Sequence, residues 1–510
     1  MYKTIGLAVV AALALMTIVI RQQVQQPSVV VNKENNGVRI EWHNCNSLLY
    51  SQIPVDCGRY YPAGDSGAFY LPFVIFRYRD ADANADPLVY VAGGPGDGLQ
   101  THADSMQSWA YWLEDLELKR DFIIFDQRGL KPGKPYWDCE TYNEVSLGLL
   151  AENLSLEQEY KKTPPILHRC LHQFDQWLRS PVVGVSSGLK SFSSLSGAAN
   201  LNGMLTALGY RQWSLWGVSY GTRLALVAAQ QNPSGVSAMI LDSPYPLDRG
   251  RLSERPKNYA RALNSFWTLC QHNAEFCGVE VGDPEALFWR VVDRLQKQPV
   301  TYKVKDPYSS STVNFVLNGH RLFSLAHFAL YDPRLYSDLL RGLVLLDGGE
   351  VTEPDMLEPI AFLLNLFVAS AFDNGFNSLI FYAIECNDNP LEPVDIYRKA
   401  AMAEALLYPF LAFEEDYNPC RSPLFTEEAL LSTEPAPTAP ALLLVGELDP
   451  VTPVIWAESL AQRLPQAKLI VAPQTGHAVF ASGVCDVSLI KQFLLTPLTS
   501  VDELNKYCHQ

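Results

Sequence analysis

Short apolar runs bounded by Gly, Pro or Asp recur along the first half of the chain and return at its end. Leu88–Ala92, Phe122–Asp126, Trp213–Gly217, Val236–Asp242, Ala441–Val445 and Lys468–Ala472 are of this kind, preceded by a longer strand-like stretch, Ala68–Tyr78. Such runs carry no polar face and read as strands covered on both sides. Between them, Ala198–Leu208 and Leu224–Gln230 space their apolar residues like helices. Strands alternating with helices predict an α/β fold: a mostly parallel sheet with helices on both faces. From Ser243 to about Pro440 the alternation stops, and helical periodicity takes over at Tyr259–Cys270, Pro284–Leu295 and Met356–Phe372. This stretch is expected to be a large, mainly helical cap, inserted before the strand Ala441–Val445. The expected divisions are 35–244 for the first part of the sheet domain, 245–435 for the cap and 436–510 for the second part. The Pro-rich run Thr433–Pro440 forms the link back.

The N-terminus changes the picture of where the chain works. One lysine precedes an unbroken apolar run, Ile5–Ile20, followed by the polar Arg21–Gln26. Residues 1–21 have the pattern of a signal peptide or an uncleaved signal anchor, and 22–34 that of a tether. Either form implies export to a periplasm or the cell exterior, with membrane attachment in the anchored form. Ten cysteines fall into close neighbours: Cys45 with Cys57, Cys139 with Cys170, Cys270 with Cys277, Cys386 with Cys420, and Cys485 with Cys508. Disulfides persist in such compartments; free structural thiols are the alternative. No Cys-x-x-Cys with partner histidines suggests a metal, and no cofactor motif is present. The 39 basic and 55 acidic residues give a net charge of −16, without a Lys/Arg block, which argues against nucleic acid as a partner.

Candidate chemistry sits where the apolar runs end. Gly217-Val-Ser219-Tyr-Gly221 joins a strand to a helix-forming stretch, the form of a nucleophile elbow that lifts a serine hydroxyl above the sheet. Leu88–Ala92 runs into Gly93-Gly94-Pro95-Gly96, where side-chain-free backbone can present N–H groups. Together with the N–H of Tyr220, Gly93 or Gly94 would form an oxyanion hole. Ala441–Val445 leads to Asp449, with Glu447 as an alternative acid, and Lys468–Ala472 leads to Gly476-His477. The order Ser219, Asp449, His477 is that of α/β-hydrolases. Asp126 and Arg128 are expected to form a buried ion pair bracing the nucleophile loop, and Thr452 to support the Asp449 loop.

Together, Gly93–Gly96, Asp126-Gln-Arg-Gly129, Gly217–Thr222, Asp449-Pro-Val-Thr-Pro453 and Gly476-His477 resemble the motif set of the proline-iminopeptidase and tripeptidyl-aminopeptidase serine peptidases. The Ser-Tyr-Gly-Thr form and Ala383-Ile-Glu-Cys-Asn-Asp388 are closer to the tripeptidyl branch. Ala92 stands where proline iminopeptidases usually carry histidine, which weakens any expectation of strict proline specificity. The resemblance implies acyl-enzyme cleavage of peptides from their free N-termini. Holding an α-ammonium requires carboxylates in the pocket. Glu385 and Asp388 are the candidates, with Asp388 the better match to the family. The same triad would equally serve an esterase or amidase acting on small acyl substrates. A non-catalytic, membrane-tethered binding scaffold is a third possibility, which the intact Ser-Asp-His set disfavours.

Overall fold

The computed structural model describes residues 33–35, 37–45, 51–63, 69–78, 85–116, 118–349, 358–389, 391–425 and 431–508. The apolar run Ile5–Ile20 lies outside the described residues. Among those described, no helix is long and apolar enough to cross a membrane.

Among the described residues, a sheet of ten strands organises the molecule. Its strands are β1 (Lys33–Asn35), β2 (Val38–His43), β3 (Val55–Tyr61), β4 (Leu71–Phe76), β5 (Leu88–Val91), β6 (Phe122–Phe125), β7 (Trp213–Val218), β8 (Val236–Asp242), β11 (Ala441–Gly446) and β12 (Ala467–Ala472). The spatial order is β1-β2-β3-β4-β6-β5-β7-β8-β11-β12. The first four pair antiparallel, as does β4 with β6; from β6 to β12 all pairs are parallel. The N-terminal part of the chain therefore adds a meander that the apolar pattern did not reveal. Val38-Arg-Ile-Glu-Trp-His43 and Val55-Asp-Cys-Gly-Arg-Tyr-Tyr61 are mixed in polarity because most of their residues are only half-buried. The tether expected over 22–34 also ends earlier, since Lys33 and Glu34 belong to β1.

The central strands are apolar for a simple reason. All six residues of β11 are buried, and helices cover both faces of the sheet, so every side chain leaves water at a gain of about 1.5–3 kcal/mol for a Leu or Val. Register then aligns the strand ends. Val91 pairs with Gly217, Gly217 with Leu241, Asp242 with Leu444, and Gly446 with Ala472. Five loops consequently leave the sheet side by side at its C-terminal edge, where ligand sites of such sheets form.

The helix Tyr220–Gln231 begins directly after β7 and is buried from Tyr220 to Ala229. Ser194–Leu208 packs beside it, opened by a Ser193/Ser196 capping box and closed at Gly209. The inserted segment has its own apolar core, built from the helices Arg255–His272, Pro284–Lys297, Gly319–Ala329, Tyr336–Leu346 and Pro359–Ala371. It also holds a hairpin, β9 (Val300–Lys305) with β10 (Thr312–Leu317). One helix departs from the expected layout. Ser378–Asp388 packs Leu379, Ile380, Ala383, Ile384 and Cys386 into the main sheet-domain core rather than into the cap core. The cysteines are bonded as Cys45–Cys57, Cys139–Cys170, Cys270–Cys277, Cys386–Cys420 and Cys485–Cys508. The fourth bond ties the Ser378–Asp388 helix to the segment around Cys420.

Candidate active site

Ser219 sits at the turn from β7 into its helix with φ 55° and ψ −122°, a backbone state that costs a non-glycine residue energy and persists only when its surroundings impose it. The neighbours impose it by contact. A Cβ on Gly217 would lie 2.4 Å from the carbonyl oxygen of Gly221, and one on Gly221 would lie 2.0 Å from that of Val91. Gly93 lies against the serine: a Cβ there would stand 3.3 Å from Ser219 Cβ. Among the described residues, the N–H groups of Tyr220, Gly93 and Gly94 have no backbone acceptor.

The loop after β11 carries Asp449, fully buried. Its Oδ1 accepts from the N–H groups of Val451 and Thr452, each at 2.8 Å. Its Oδ2 accepts from Thr452 Oγ1 and from His477 Nδ1, again each at 2.8 Å. Burial works to raise the Asp449 pKa, but the charge and hydrogen bond of His477 and the two backbone donors outweigh it and hold the group below its ordinary value. An ionised carboxylate can only accept, so His477 carries its proton on Nδ1 and leaves Nε2 free as a base. Glu447, the alternative acid, is exposed and accepts from Gln474 N instead.

Asp242 and Ser243, at the end of β8, join the serine and histidine loops. The Asp242 carbonyl accepts from Ser219 N at 2.9 Å, while its carboxylate accepts from Val479 N at 2.7 Å and Phe480 N at 3.1 Å. Ser243 Oγ accepts from Ala478 N at 2.9 Å. One corner thus hangs both loops, and it was missed in the sequence; the signal was an aspartate closing the apolar run Ala238–Leu241. The inserted segment grips the same loops from above. Tyr331 O accepts from His477 N at 2.9 Å, Gly96 O accepts from Asn377 N at 2.9 Å, and Arg261 donates to the Asp449 carbonyl.

The expected ion pair between Asp126 and Arg128 does not form. Asp126 accepts from Gln100 N, Thr101 N and Thr101 Oγ1 at 2.5–3.0 Å, and burial pushes its pKa up to about 7 against those bonds. The guanidinium of Arg128 turns the other way, 4.2 Å from the Phe69 ring centre and 3.3 Å from Asn200 Oδ1. Three local donors satisfy the carboxylate without desolvating a cation. Asp126 therefore braces the segment after the Gly93–Gly96 loop, not the nucleophile loop.

The two acids proposed to face a substrate part company. Glu385 lines a cavity of about 300 Å³ together with Glu414, Arg255, Tyr142, Tyr160 and Tyr382. The cavity adjoins the glycine loop, because Phe381 on its wall lies 3.5 Å from where a Gly96 Cβ would sit. Tyr245 Oη and Asn389 Nδ2 donate to Glu385 at 3.0 and 2.9 Å. Arg255 approaches Glu414 at 4.0 Å and also acts on Glu385, on which Arg223 acts more strongly. Burial raises both carboxyl pKa values, opposed by Arg223 and then Arg255 at Glu385 and by Arg255 at Glu414. Asp388 is absent from this lining: Ser194 N and Oγ occupy its two oxygens at 2.9 and 2.5 Å. A second cavity of similar size, beside Phe76 and Phe122, is at the opposite end of the sheet from the loops.

His477 sets an expectation for pH. Burial opposes its charged form, but Asp449 and then Asp242 more than compensate, so its pKa stands above the ordinary 6.5. A base must be unprotonated. Activity is therefore expected to appear as pH rises through a single pKa above 6.5 and to vanish below it, read from kcat/KM against pH.

The model of the alpha/beta hydrolase fold matches residues 86–267, and that of the TAP-like protein matches 413–508. Serine protease Hip1 of Mycobacterium tuberculosis is 23% identical over 340 residues, 60% of this chain; the match spans 59% of Hip1 itself. The tripeptidyl aminopeptidase of Streptomyces lividans is 23% identical over 492 residues, covering 91% of this chain and 86% of that one. Among solved structures, a probable hydrolytic enzyme from Pseudomonas aeruginosa aligns over 89% of this chain and 96% of its own, at 13% identity and a TM-score of 0.38; so distant a likeness carries no functional weight. The chain has the α/β-hydrolase fold and carries a TAP-like domain over 413–508.

Proposed function

We propose that this protein is an exported serine exopeptidase that removes amino acids or short peptides from free N-termini through an acyl-enzyme on Ser219. The observation that carries the reading is the buried Asp449–His477 pair, hung from the same Asp242–Ser243 corner as the strained Ser219. In the first step Ser219 Oγ attacks the scissile carbonyl carbon while His477 Nε2 takes its proton. The oxyanion is received by the N–H of Tyr220 and by Gly93 or Gly94. His477 then returns the proton to the leaving amine, and water, activated by the same base, releases the acyl group. Thr452 holds Asp449 in the orientation this requires.

Glu385, Glu392, Glu414 and Glu415 line a cavity walled by tyrosines with one cation, Arg255, while Arg223 and Arg421, outside the lining, act on Glu385 and Glu415. Four acids against these three cations leave a negative balance that supports an α-ammonium as occupant. The names of the relatives, serine protease and tripeptidyl aminopeptidase, agree with a peptide substrate. Five disulfides support export, and the Ile5–Ile20 run supplies a leader or an anchor.

The test compares tripeptidyl amides with free and acetylated N-termini. Free substrates are expected to turn over and acetylated ones not. Glu385→Gln is expected to lower kcat/KM on free substrates by about 10–100-fold, mainly through KM, the worth of one charged hydrogen bond. Equal turnover of free and blocked peptides would remove the aminopeptidase and leave an esterase or amidase with the same triad.

A further inference from the structure

Asp388 presents a buried charge that neither the substrate cavity nor its own helix explains. It stands in the last turn of Ser378–Asp388, where the helix dipole disfavours an acid, it is 2% exposed, and burial pushes its pKa up to about 6 despite Arg223 and Ser194. What it does touch leads toward Ser219. Ser194 has a single hydroxyl proton, and the carboxylate, which can only accept, takes it at 2.5 Å. The remaining partner of Ser194 Oγ is Tyr220 Oη at 3.0 Å, which must therefore donate. Ser194 and Tyr220 are each no more than 1% exposed, so water does not compete for these bonds.

We infer that Asp388 is a positioning residue, which acts through Ser194 to fix the side chain of Tyr220 and with it the backbone N–H that receives the oxyanion. The inference rests on Ser219 being the acylated residue, as proposed above. Tyr220 follows the strained Ser219 directly and opens the helix, so its ring is a lever on the one peptide unit that must not drift. A second strut joins the same two helices one turn on, where Arg223 donates to Asn389 Oδ1 at 3.0 Å and stacks 3.5 Å from the Tyr245 ring centre. The Ser193/Ser196 box and the bond from Ser194 N to Asp388 Oδ1 at 2.9 Å together cap the Ser194–Leu208 helix, so capping does not require the second bond of Asp388, to the Ser194 hydroxyl, or its continuation to Tyr220.

The test uses the full chain and p-nitrophenyl acetate, which has no ammonium, so that peptide specificity does not enter. Tyr220→Phe removes one hydroxyl and nothing else. It is expected to lower kcat about tenfold with KM and thermal midpoint unchanged, part of the 10²–10³ lost when an oxyanion donor is deleted outright. Asp388→Asn is expected to act alike, and the double variant to be no slower than the slower single one, as for residues acting in series. Affinity for a peptidyl trifluoromethyl ketone, which forms a tetrahedral oxyanion, is expected to fall in step with kcat. A Tyr220→Phe enzyme with wild-type kcat and wild-type ketone affinity would overturn the inference, as would additive losses in the double variant. If Asp388→Asn does not fold, Tyr220→Phe decides alone. Survival of ester and amide turnover in Ser219→Ala would instead remove the underlying acyl-enzyme reading.

Discussion

Ser219→Ala is expected to lower kcat/KM by at least about 10⁴-fold on amide and ester substrates alike, the scale seen when a triad nucleophile is removed from other serine hydrolases. Folding is expected to survive, because the serine side chain carries no hydrogen bond that holds the turn: Ser219 contributes its backbone N–H to Asp242 and its carbonyl to Thr222. Alanine also relaxes nothing useful. The φ of 55° is imposed by Gly93, Gly217 and Gly221 and remains. The loss is then purely that of the attacking oxygen. Near-normal thermal stability with abolished turnover, measured on the same preparation, is the expected pattern, and residual turnover within tenfold of wild type would speak against it.

Asp449→Asn is expected to cost about 10⁴-fold in kcat, the loss known for the equivalent change where only the tautomer is altered. The reason lies in its four donors. Val451 N, Thr452 N, Thr452 Oγ1 and His477 Nδ1 all point at the carboxylate. An asparagine can face the two backbone donors with its oxygen, but its NH₂ then faces His477. The imidazole must accept there, so its proton moves to Nε2 and the base is lost. The acid limb that belongs to His477 is expected to shift downward with it, since Asp449 is what raises that pKa above 6.5. A variant that kept its rate while shifting its profile would contradict the orienting role.

How legible this was depended on burial. Runs such as Ile123-Ile124 in β6 and Leu442–Val445 in β11 are apolar at every position because both faces are covered, and motifs at their ends could be read directly. The half-covered β2 and β3 carry Arg, Glu and Asp and gave no such signal. The Ser378–Asp388 helix shows a different limit. Its sequence position places it within the insertion, yet its apolar face fits the sheet-domain core, and only packing decides between two cores. That is also why Asp388 looked like a substrate ligand: its motif was visible, but Ser194, nearly two hundred residues earlier in the chain, was not a visible partner. Asp126 and Arg128 are oppositely charged and only two residues apart, but in the turn after β6 their side chains face different neighbours. Glu414 and Arg255 had no pattern at all, being brought to Glu385 by folding alone.

The most direct measurement is mass spectrometry of the protein after reaction with a fluorophosphonate. One adduct, on the peptide containing Ser219, with turnover lost in proportion and labelling abolished by His477→Ala, is expected. An adduct on any other residue, or full activity in a quantitatively labelled protein, would contradict catalysis through Ser219.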